Sequence, residues 1–277
     1  MISGRTTLIA HLGYPTEAFK APMIYNPYFE KAGIDAVVVP MGVTAADYPS
    51  FLRELFNVTN IRGALVTMPH KRTTIELADE VSPTARIAGA ANALLKREDG
   101  TLLADMFDGE GFTRGVLNKG HELRNASALV IGAGGVGSAI AASLAAAGVS
   151  RMGLDDAMDE AAKSLASRLA MHYPDLDVST GSADPTGYDI VVNATPLGMN
   201  EGDPLPIDMS LVAPTTFVGE VVMKAEVTPF LRAARERGCP TQIGTDMLFE
   251  QIPAYLEFFG FGTTTPEELR SVAQLQY

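Results

Sequence analysis

The fold of this chain is decided by the stretch ALVIGAGGVG, residues 128–137, in which a short apolar run ends in glycines. The residues behind it, 138–147, are almost all small or aliphatic, a composition that favours a helix, and Gly148 can end that helix. The glycines follow the G-x-G-x-x-G spacing of a strand-turn-helix that binds a pyrophosphate. The sequence therefore predicts a dinucleotide-binding unit, although a glycine turn in another kind of α/β protein can share the spacing.

Three glycines of this turn have separate expected tasks. Gly132 allows the tight turn, Gly134 lets the backbone approach a pyrophosphate, and Gly137 lets helix and strand pack closely. The first helical turn offers unpaired N–H groups and the positive end of the helix dipole to phosphates. The cofactor contacts predicted here are Gly132, Ala133, Gly134, Gly135, Val136 and Gly137.

An acidic pair follows the next predicted strand, residues 149–154. Asp155 stands about 20 residues beyond the glycine turn, where a ribose-binding acid is expected. A carboxylate there accepts hydrogen bonds from both ribose hydroxyls, and it repels the 2′-phosphate of NADP. Asp156 adds a second negative charge. The pair favours NAD over NADP as the cofactor, unless both side chains are merely exposed in a turn.

The composition describes an ordered globular protein acting on a small molecule. Its 277 residues, 47% hydrophobic and 19% charged, suit one large or two modest domains. The net charge of −12 argues against binding nucleic acid or an anionic membrane. The lone cysteine, Cys239, excludes an internal disulfide, and the four histidines show no metal-ligand spacing. Without a signal peptide or a membrane-length apolar stretch, the expected protein is cytoplasmic, metal-free, and a monomer or homodimer.

Strands and helices alternate in the first hundred residues. Apolar runs predict strands at 6–10, 35–40 and 61–67, with helices at 23–32 and 46–58 between them, which is the alternation of a parallel α/β sheet. Residues 92–96 and 101–104 flank Glu98-Asp99-Gly100 and predict a hairpin, read as an antiparallel edge of that sheet.

A second α/β unit is expected to follow. A helix at 109–118 leads into the glycine turn, and further strands are predicted at 188–193, 216–222 and 240–244. Later helices are predicted at 160–172, 228–237, 245–259 and 266–276. We expect residues 1–107 with 246–277 to form a substrate-binding and catalytic domain, to which the last helices return. Residues 108–245 are expected to form a Rossmann-type dinucleotide-binding domain.

Two polar residues stand where alcohol chemistry is expected. Lys71 closes the segment VTMPHK, residues 66–71, behind a predicted strand, and Asp108 lies at the junction of the two domains. An ammonium can hold a substrate hydroxyl and stabilise a developing alkoxide, while a carboxylate orients that hydroxyl and helps remove its proton. From the residues alone, an exposed lysine at a helix start and a helix-capping aspartate explain the two positions at least as well.

Six segments together resemble the shikimate/quinate dehydrogenase family over essentially the whole chain. They are VTMPHK at 66–71, GAAN at 89–92, DGEG at 108–111, GAGG at 132–135, NATPLGM at 193–199 and GTDMLFEQ at 244–251. The resemblance implies an NAD(P)-dependent dehydrogenase that oxidises a secondary alcohol of a small, cyclic polyol or hydroxy acid such as shikimate or quinate. It implies catalysis by Lys71 and Asp108.

The resemblance also implies ligands for the substrate and further cofactor contacts. Thr67, Asn92 and Gln251 would bind substrate hydroxyls; a strand-end hydroxyl, a turn asparagine and a helix-surface glutamine are the plain alternatives. The further cofactor contacts implied are Asn193, Ala194, Thr195, Pro196, Val221, Gly244 and Met247.

The chain departs from the family where a substrate carboxylate would bind. Two serines of the family's first loop are replaced by Phe19 and Ala21, and Lys20 between them is the remaining candidate for a charge contact. Polar positions of the family also read Leu65, Met106-Phe107 and Met223 here. We therefore expect a substrate other than shikimate, or poor turnover of shikimate. A dehydrogenase for a substrate without a carboxylate, or an NAD-binding sensor without turnover, is the alternative.

Overall fold

The chain forms two compact α/β units in a computed structural model that describes residues 2–17 and 19–275. Unit 1 consists of the described residues of Met1–Phe107 and Ile252–Tyr277, and unit 2 of Asp108–Gln251. The first boundary falls where the sequence places it, between residues 107 and 108. The second lies at 251/252, inside a helix, six residues later than the boundary expected from the sequence.

Unit 1 is built on a six-stranded sheet in the order β2-β1-β3-β5-β6-β4. Neighbours pair in parallel except β5, which runs antiparallel to both β3 and β6. The antiparallel strand therefore lies inside the sheet, and not at its edge as the hairpin predicted, because the short β4 pairs beyond β6. The strands are β1 (Thr7–Gly13), β2 (Ala36–Gly42), β3 (Ile61–Val66), β4 (Glu80–Val81), β5 (Ala93–Lys96) and β6 (Leu102–Asp105).

Short helices connect these strands: α1 (Pro22–Ala32), α2 (Tyr48–Leu55), α3 (Lys71–Leu77) and α4 (Pro83–Ala88). Helix α2 ends at Leu55, before its predicted end at residue 58. Beyond the helix, the Lys96 ammonium donates to the carbonyls of Phe56 and Val58 at 2.7 and 3.3 Å. Helix α10 (Pro266–Val272) packs against α1, and Gln274 N donates to Met23 O at 2.9 Å. Helix α10 ends at Val272, earlier than the predicted end at residue 276, which lies outside the described residues.

Unit 2 is a six-stranded sheet in the order β12-β11-β10-β7-β8-β9, with every pair parallel. Counted within the unit, this is the 3-2-1-4-5-6 order of a doubly wound nucleotide-binding fold. The exposed edge strand β9 was missed because its residues are mostly polar. The strands are β7 (Ser127–Ile131), β8 (Arg151–Asp155), β9 (Asp177–Thr180), β10 (Ile190–Asn193), β11 (Phe217–Glu220) and β12 (Thr241–Gln242).

Five further helices complete the set: α5 (Asp108–Asn118), α6 (Gly135–Ala146), α7 (Asp159–His172), α8 (Pro229–Glu236) and α9 (Gly244–Phe259). Helices α5 and α6 approach closely, because a Cβ atom on Gly109 would overlap the Ala139 carbonyl and lie 2.5 Å from Ser143 Oγ. Thr228 caps α8 by accepting a hydrogen bond from Leu231 N, as its place before the helix predicts. The α/β fold class is confirmed.

Among residues 2–17 and 19–275, no helix is long and apolar enough to cross a membrane. Within the same ranges, no three His, Cys, Asp or Glu side chains are grouped so that they could hold a metal ion.

The tight α5–α6 contact predicts a large effect of a single methyl group. Gly109→Ala adds helix propensity of at most about 1 kcal/mol, but the overlap with Ala139 forces a backbone shift that costs about 1–3 kcal/mol or more. We expect a net loss of stability, measured as a lower denaturant midpoint. Gly4→Ala is the matched control, because nothing lies within 4 Å of its Cβ position. Equal midpoints for the two variants would contradict the close packing.

Candidate active site

The carboxyl ends of β1 and β3 are joined by backbone hydrogen bonds in unit 1. Thr67 N donates to Leu12 O at 2.9 Å, and Val66 N donates to Asn92 O at 2.8 Å. Thr67 therefore lies beside the GAAN segment, and the side chain of Thr67 is partly exposed at this sheet edge. The structure brings together three segments that the sequence separates by up to 80 residues: the end of β1, the VTMPHK segment and Asn92.

Lys71 begins helix α3, and the residue before it anchors the helix. His70 is 1% exposed, stacks on Tyr48 with ring centroids 3.9 Å apart, and places Nε2 2.8 Å from Val43 O. Burial lowers the pKa of His70. Its position before a helix would suit an exposed residue, but the Tyr48 ring covers it. Lys71 O in turn accepts from Ala91 N at 2.8 Å, which ties the lysine backbone to GAAN.

Asn92 is buried and held from two sides. Its Oδ1 accepts a hydrogen bond from Phe107 N at 2.9 Å, and its backbone N donates to Asp105 O at 2.9 Å. The plain alternative of a solvent-facing turn asparagine does not fit this burial. Lys20 lies in the loop after β1 and is partly exposed.

Next to this sheet edge, the residues that differ from the family's pattern are buried or pack against aromatic side chains. Met106 is 1% exposed, and the Phe107 ring packs against Tyr255 and Phe258, with ring centroids 4.7 and 5.2 Å away. The replacements seen in the sequence thus extend a hydrophobic cluster of unit 1.

The glycine turn of unit 2 has the geometry that its spacing predicts. Gly132 has a φ of 102°, a value that glycine adopts freely, and its N–H donates to Asp155 O at 2.7 Å. A Cβ on Gly137 would overlap Gly132 O, so the helix reaches the turn only without a side chain there. Nothing lies within 4 Å of the Cβ position of Gly134 or Gly135. This open backbone at the start of α6 fits a pyrophosphate.

The two aspartates after β8 have different surroundings. Asp156 Oδ2 accepts from Ala133 N at 2.7 Å and Oδ1 from Met158 N at 2.8 Å, so this side chain clamps the glycine turn. Asp155 is partly buried, and burial raises its pKa, with Asp156 and Asp159 adding to the effect. Exposed turn aspartates, the alternative left open by the sequence, do not describe Asp156.

A second turn at the same sheet edge is locked by its own side chains. Asn193 is fully buried; its Oδ1 accepts from Thr195 N and Oγ1 at 3.1 and 2.6 Å, and its Nδ2 donates to Leu197 O. Ala194 N donates to Ile131 O at 2.7 Å, and Val221 N to Asn193 O at 3.2 Å. The segments Asn193–Pro196 and Val221 therefore line the strand ends next to the glycine turn.

Helix α9 approaches two other elements of unit 2 through glycines. A Cβ on Gly244 would overlap Val222 O, and one on Gly111 would lie 2.5 Å from Met247 O and 2.7 Å from Gln251 Cβ. Gly244 thus begins α9 and does not end a strand. Met247 is 5% exposed, and Gln251 is buried with an Oε1 that has no hydrogen-bond partner among the described residues.

Asp108 is the first residue of α5 and is 6% exposed. Its place at a helix start agrees with the capping alternative as well as with a chemical role, and the two can coexist.

Sequence analysis missed Glu220, the last residue of β11. Its side chain is fully buried, Oε2 accepts from Thr228 Oγ1 at 2.9 Å, and Oε1 has no partner among residues 2–17 and 19–275. Burial raises its pKa to about 7, and hydrogen bonds from Thr228 and Asn193 oppose that shift. The sequence signal that could have identified Glu220 is an acidic residue inside the apolar run 217–222.

The chain is similar to known proteins both in sequence and in structure. Residues 12–94 match the family described as the shikimate dehydrogenase substrate binding domain, and residues 114–180 match the ThiF family. A shikimate dehydrogenase (NADP(+)) of Rubrobacter xylanophilus is 37% identical over 254 residues, covering 90% of this chain and 89% of that protein.

Two solved structures share the fold over nearly their full length. Shikimate 5-dehydrogenase of Listeria monocytogenes, solved with shikimate and NAD, has a TM-score of 0.91 and 26% identity, covering 98% of this chain and 97% of its own. The 5-ketofructose reductase of a Gluconobacter strain, in ligand-free form, has a TM-score of 0.89 and 25% identity, covering 98% and 99%.

The doubly wound sheet and open glycine turn are those of a dinucleotide-binding unit, and with the comparisons they identify the class as nicotinamide-dinucleotide-dependent oxidoreductases. The chain belongs to the shikimate dehydrogenase family. It is accordingly an NAD(P)-dependent enzyme that acts on CH–OH groups, and the resemblance found in the sequence is confirmed.

The buried Glu220 predicts a pH-dependent stability. Because its folded pKa of about 7 lies above the ordinary 4.5, the group favours folding below pH 4.5, and this contribution is lost as pH rises through 7. The shift corresponds to roughly 3 kcal/mol. Relative to the parent, Glu220→Gln should gain stability between pH 5 and pH 8, measured by denaturant unfolding at each pH. Exposed Glu236→Gln is the control. If the difference in the free energy of unfolding between Glu220→Gln and the parent stays constant from pH 5 to pH 8, the raised pKa of Glu220 is contradicted.

Proposed function

We propose that Lys71 and Asp108 carry out the proton chemistry of alcohol oxidation and carbonyl reduction. The observation that carries the proposal is the buried His70 anchor, which fixes the start of α3 beside Thr67 and Asn92. In this role the Lys71 ammonium holds the substrate oxygen and stabilises the alkoxide, and Asp108 orients the hydroxyl and takes its proton. When bound, the nicotinamide cofactor supplies the hydride acceptor.

We propose that unit 2 holds the cofactor and that unit 1 supplies most of the substrate contacts, in a cytoplasmic enzyme. Thr67, Asn92 and Gln251 bind substrate hydroxyls. The buried, unpartnered Oε1 of Gln251 supports this role, because such an acceptor gains a partner when a hydroxyl binds. Lys20 is the candidate for a charge contact. The substrate is a secondary alcohol or its ketone on a small polyol or hydroxy acid, and shikimate is turned over poorly.

The cofactor contacts proposed are the glycine turn 132–137, the segment Asn193–Pro196, Val221, Gly244 and Met247. The curated relative is named for NADP(+), whereas the Listeria structure was solved with NAD, so the choice rests on this chain's own residues. Asp155 and Asp156 place two negative charges at the end of β8, where NADP would bring its 2′-phosphate. We propose a preference for NAD.

Removal of the lysine tests the chemical role. Lys71→Ala should lower turnover by about 10²–10⁴-fold, the usual loss for an acid–base group, with NAD affinity nearly unchanged. Steady-state rates and cofactor titration measure the two effects across a panel of cyclic alcohols. Arg72→Ala is the matched control, since it removes a neighbouring exposed cation of the same helix. Near-parental turnover by Lys71→Ala would remove this lysine from the mechanism.

Substitution of the aspartates tests the cofactor preference. Losing a charged hydrogen bond costs about 1.5–3 kcal/mol, so the parent should bind NAD at least about tenfold more tightly than NADP. Asp155→Asn should narrow the ratio, and adding Asp156→Arg should narrow it further or invert it, although that change also releases Ala133 N. Asp159→Asn is the control for lost charge alone.

Both cofactors are titrated against all four proteins at one ionic strength, because the phosphate term depends on salt. Equal affinity of the parent for NAD and NADP would show that Asp155 does not face the ribose.

A further inference from the structure

An aromatic ring fills the end of β1 in unit 1. The Phe19 and His11 rings are stacked, with centroids 4.1 Å apart and an interplanar angle of 27°. His11 belongs to β1 two residues before Gly13, so both point to the same face of the sheet. The Phe19 ring therefore leans over this strand end and does not extend into solvent.

The same ring borders the space next to Thr67. A Cβ atom on Gly13 would lie 2.8 Å from Phe19 Cζ and 2.5 Å from Thr67 Cγ2, so both side chains surround one point. Thr67 is a proposed substrate ligand, and Phe19 stands where the family has the first of its two serines. The Phe19 ring consequently lies next to the space that a substrate bound to Thr67 would enter.

Neither ring carries a charge at neutral pH. His11 is 8% exposed, its Nδ1 has no hydrogen-bond partner among the described residues, and burial lowers its pKa to about 4. A carboxylate moved against this pair would lose its water and meet no positive charge, because a neutral imidazole offers at most one N–H donor and the phenyl ring offers none, which is unfavourable. The C–H face of a neutral polyol loses little water there and packs on the aromatic face.

We propose that the His11–Phe19 pair sets the substrate class, so that the enzyme accepts neutral polyols or their ketones and discriminates against hydroxy acids. Phe19 is the specificity-determining contact, and His11 is a positioning residue that holds its ring. This inference rests on the proposed function and names its substrate class. The structural likeness to a 5-ketofructose reductase agrees with it, since that name denotes an uncharged sugar.

The test compares shikimate with its carboxamide, which has nearly the same shape but no charge. The parent should bind the carboxamide at least about tenfold more tightly, measured by calorimetry with NAD present. Phe19→Ser with Ala21→Ser supplies two donors and should improve shikimate binding by about tenfold or more. A parent that binds shikimate as tightly as the carboxamide would overturn the inference.

The role of His11 is tested by two variants of the same residue. His11→Leu removes the stacking partner and should reduce the carboxamide-to-shikimate preference through KM, with kcat little changed, whereas His11→Phe should restore the preference. Phe261→Leu, which breaks another ring pair of unit 1, should leave the preference unchanged. Thermal unfolding confirms that each variant folds. An unchanged preference in a folded His11→Leu protein would overturn its positioning role.

Two further outcomes separate this inference from the proposed function. If Lys20→Ala weakens shikimate binding selectively, the loop holds a carboxylate after all, and the inference fails while the dehydrogenase assignment stands. If the carboxamide binds tightly but no alcohol or ketone of the panel reacts with either cofactor, the selectivity stands and the proposed chemistry fails. If neither compound binds, the inference fails, and the proposed chemistry is judged by the panel of alcohols alone.

Discussion

The absence of a Cβ atom at the end of the first strand of each sheet is the constraint on which both halves of the molecule depend. At Gly13, the last residue of β1, a side chain would collide with Thr67, Met68 and Phe19. At Gly132, after β7, it would collide with Ala194 and Thr195. In both units, the loop from a neighbouring strand closes over a bare backbone, so the residues proposed as ligands lie close to the sheet.

The loops held in this way differ in how they are stabilised. In unit 1, two stacked ring pairs hold the loops. His70 stacks on Tyr48 before α3, and Phe19 stacks on His11 over the end of β1. In unit 2, hydrogen bonds dominate, with Asp156 on Ala133 and Asn193 on Thr195. The difference agrees with the ligands proposed for each edge, since phosphates need free N–H groups whereas the face of a neutral substrate needs apolar surface.

The surroundings of several residues and strands could not be predicted from the local sequence, for one shared reason. His70 reads as a surface residue at a helix start, yet Tyr48, distant in sequence, buries it. The hairpin of β5 and β6 reads as a sheet edge, yet β4 pairs beyond it. Glu220 was not singled out, although burial raises its carboxyl pKa to about 7. In each case, the partner that decides the environment lies outside the sequence window that predicts the element.

The sequence by itself determined the α/β class, the glycine turn and the family, because these depend on residue spacing along a single strand-turn-helix and on six ordered segments. It also located the apolar replacements at Phe19, Ala21 and Met106. Only the tertiary structure decided the contacts of Phe19 and Asp156: Phe19 stacks on His11, and Asp156 accepts a hydrogen bond from Ala133 N in the glycine turn. Such contacts join different segments of the chain, and their geometry is set by packing between elements, which no periodicity along the chain encodes.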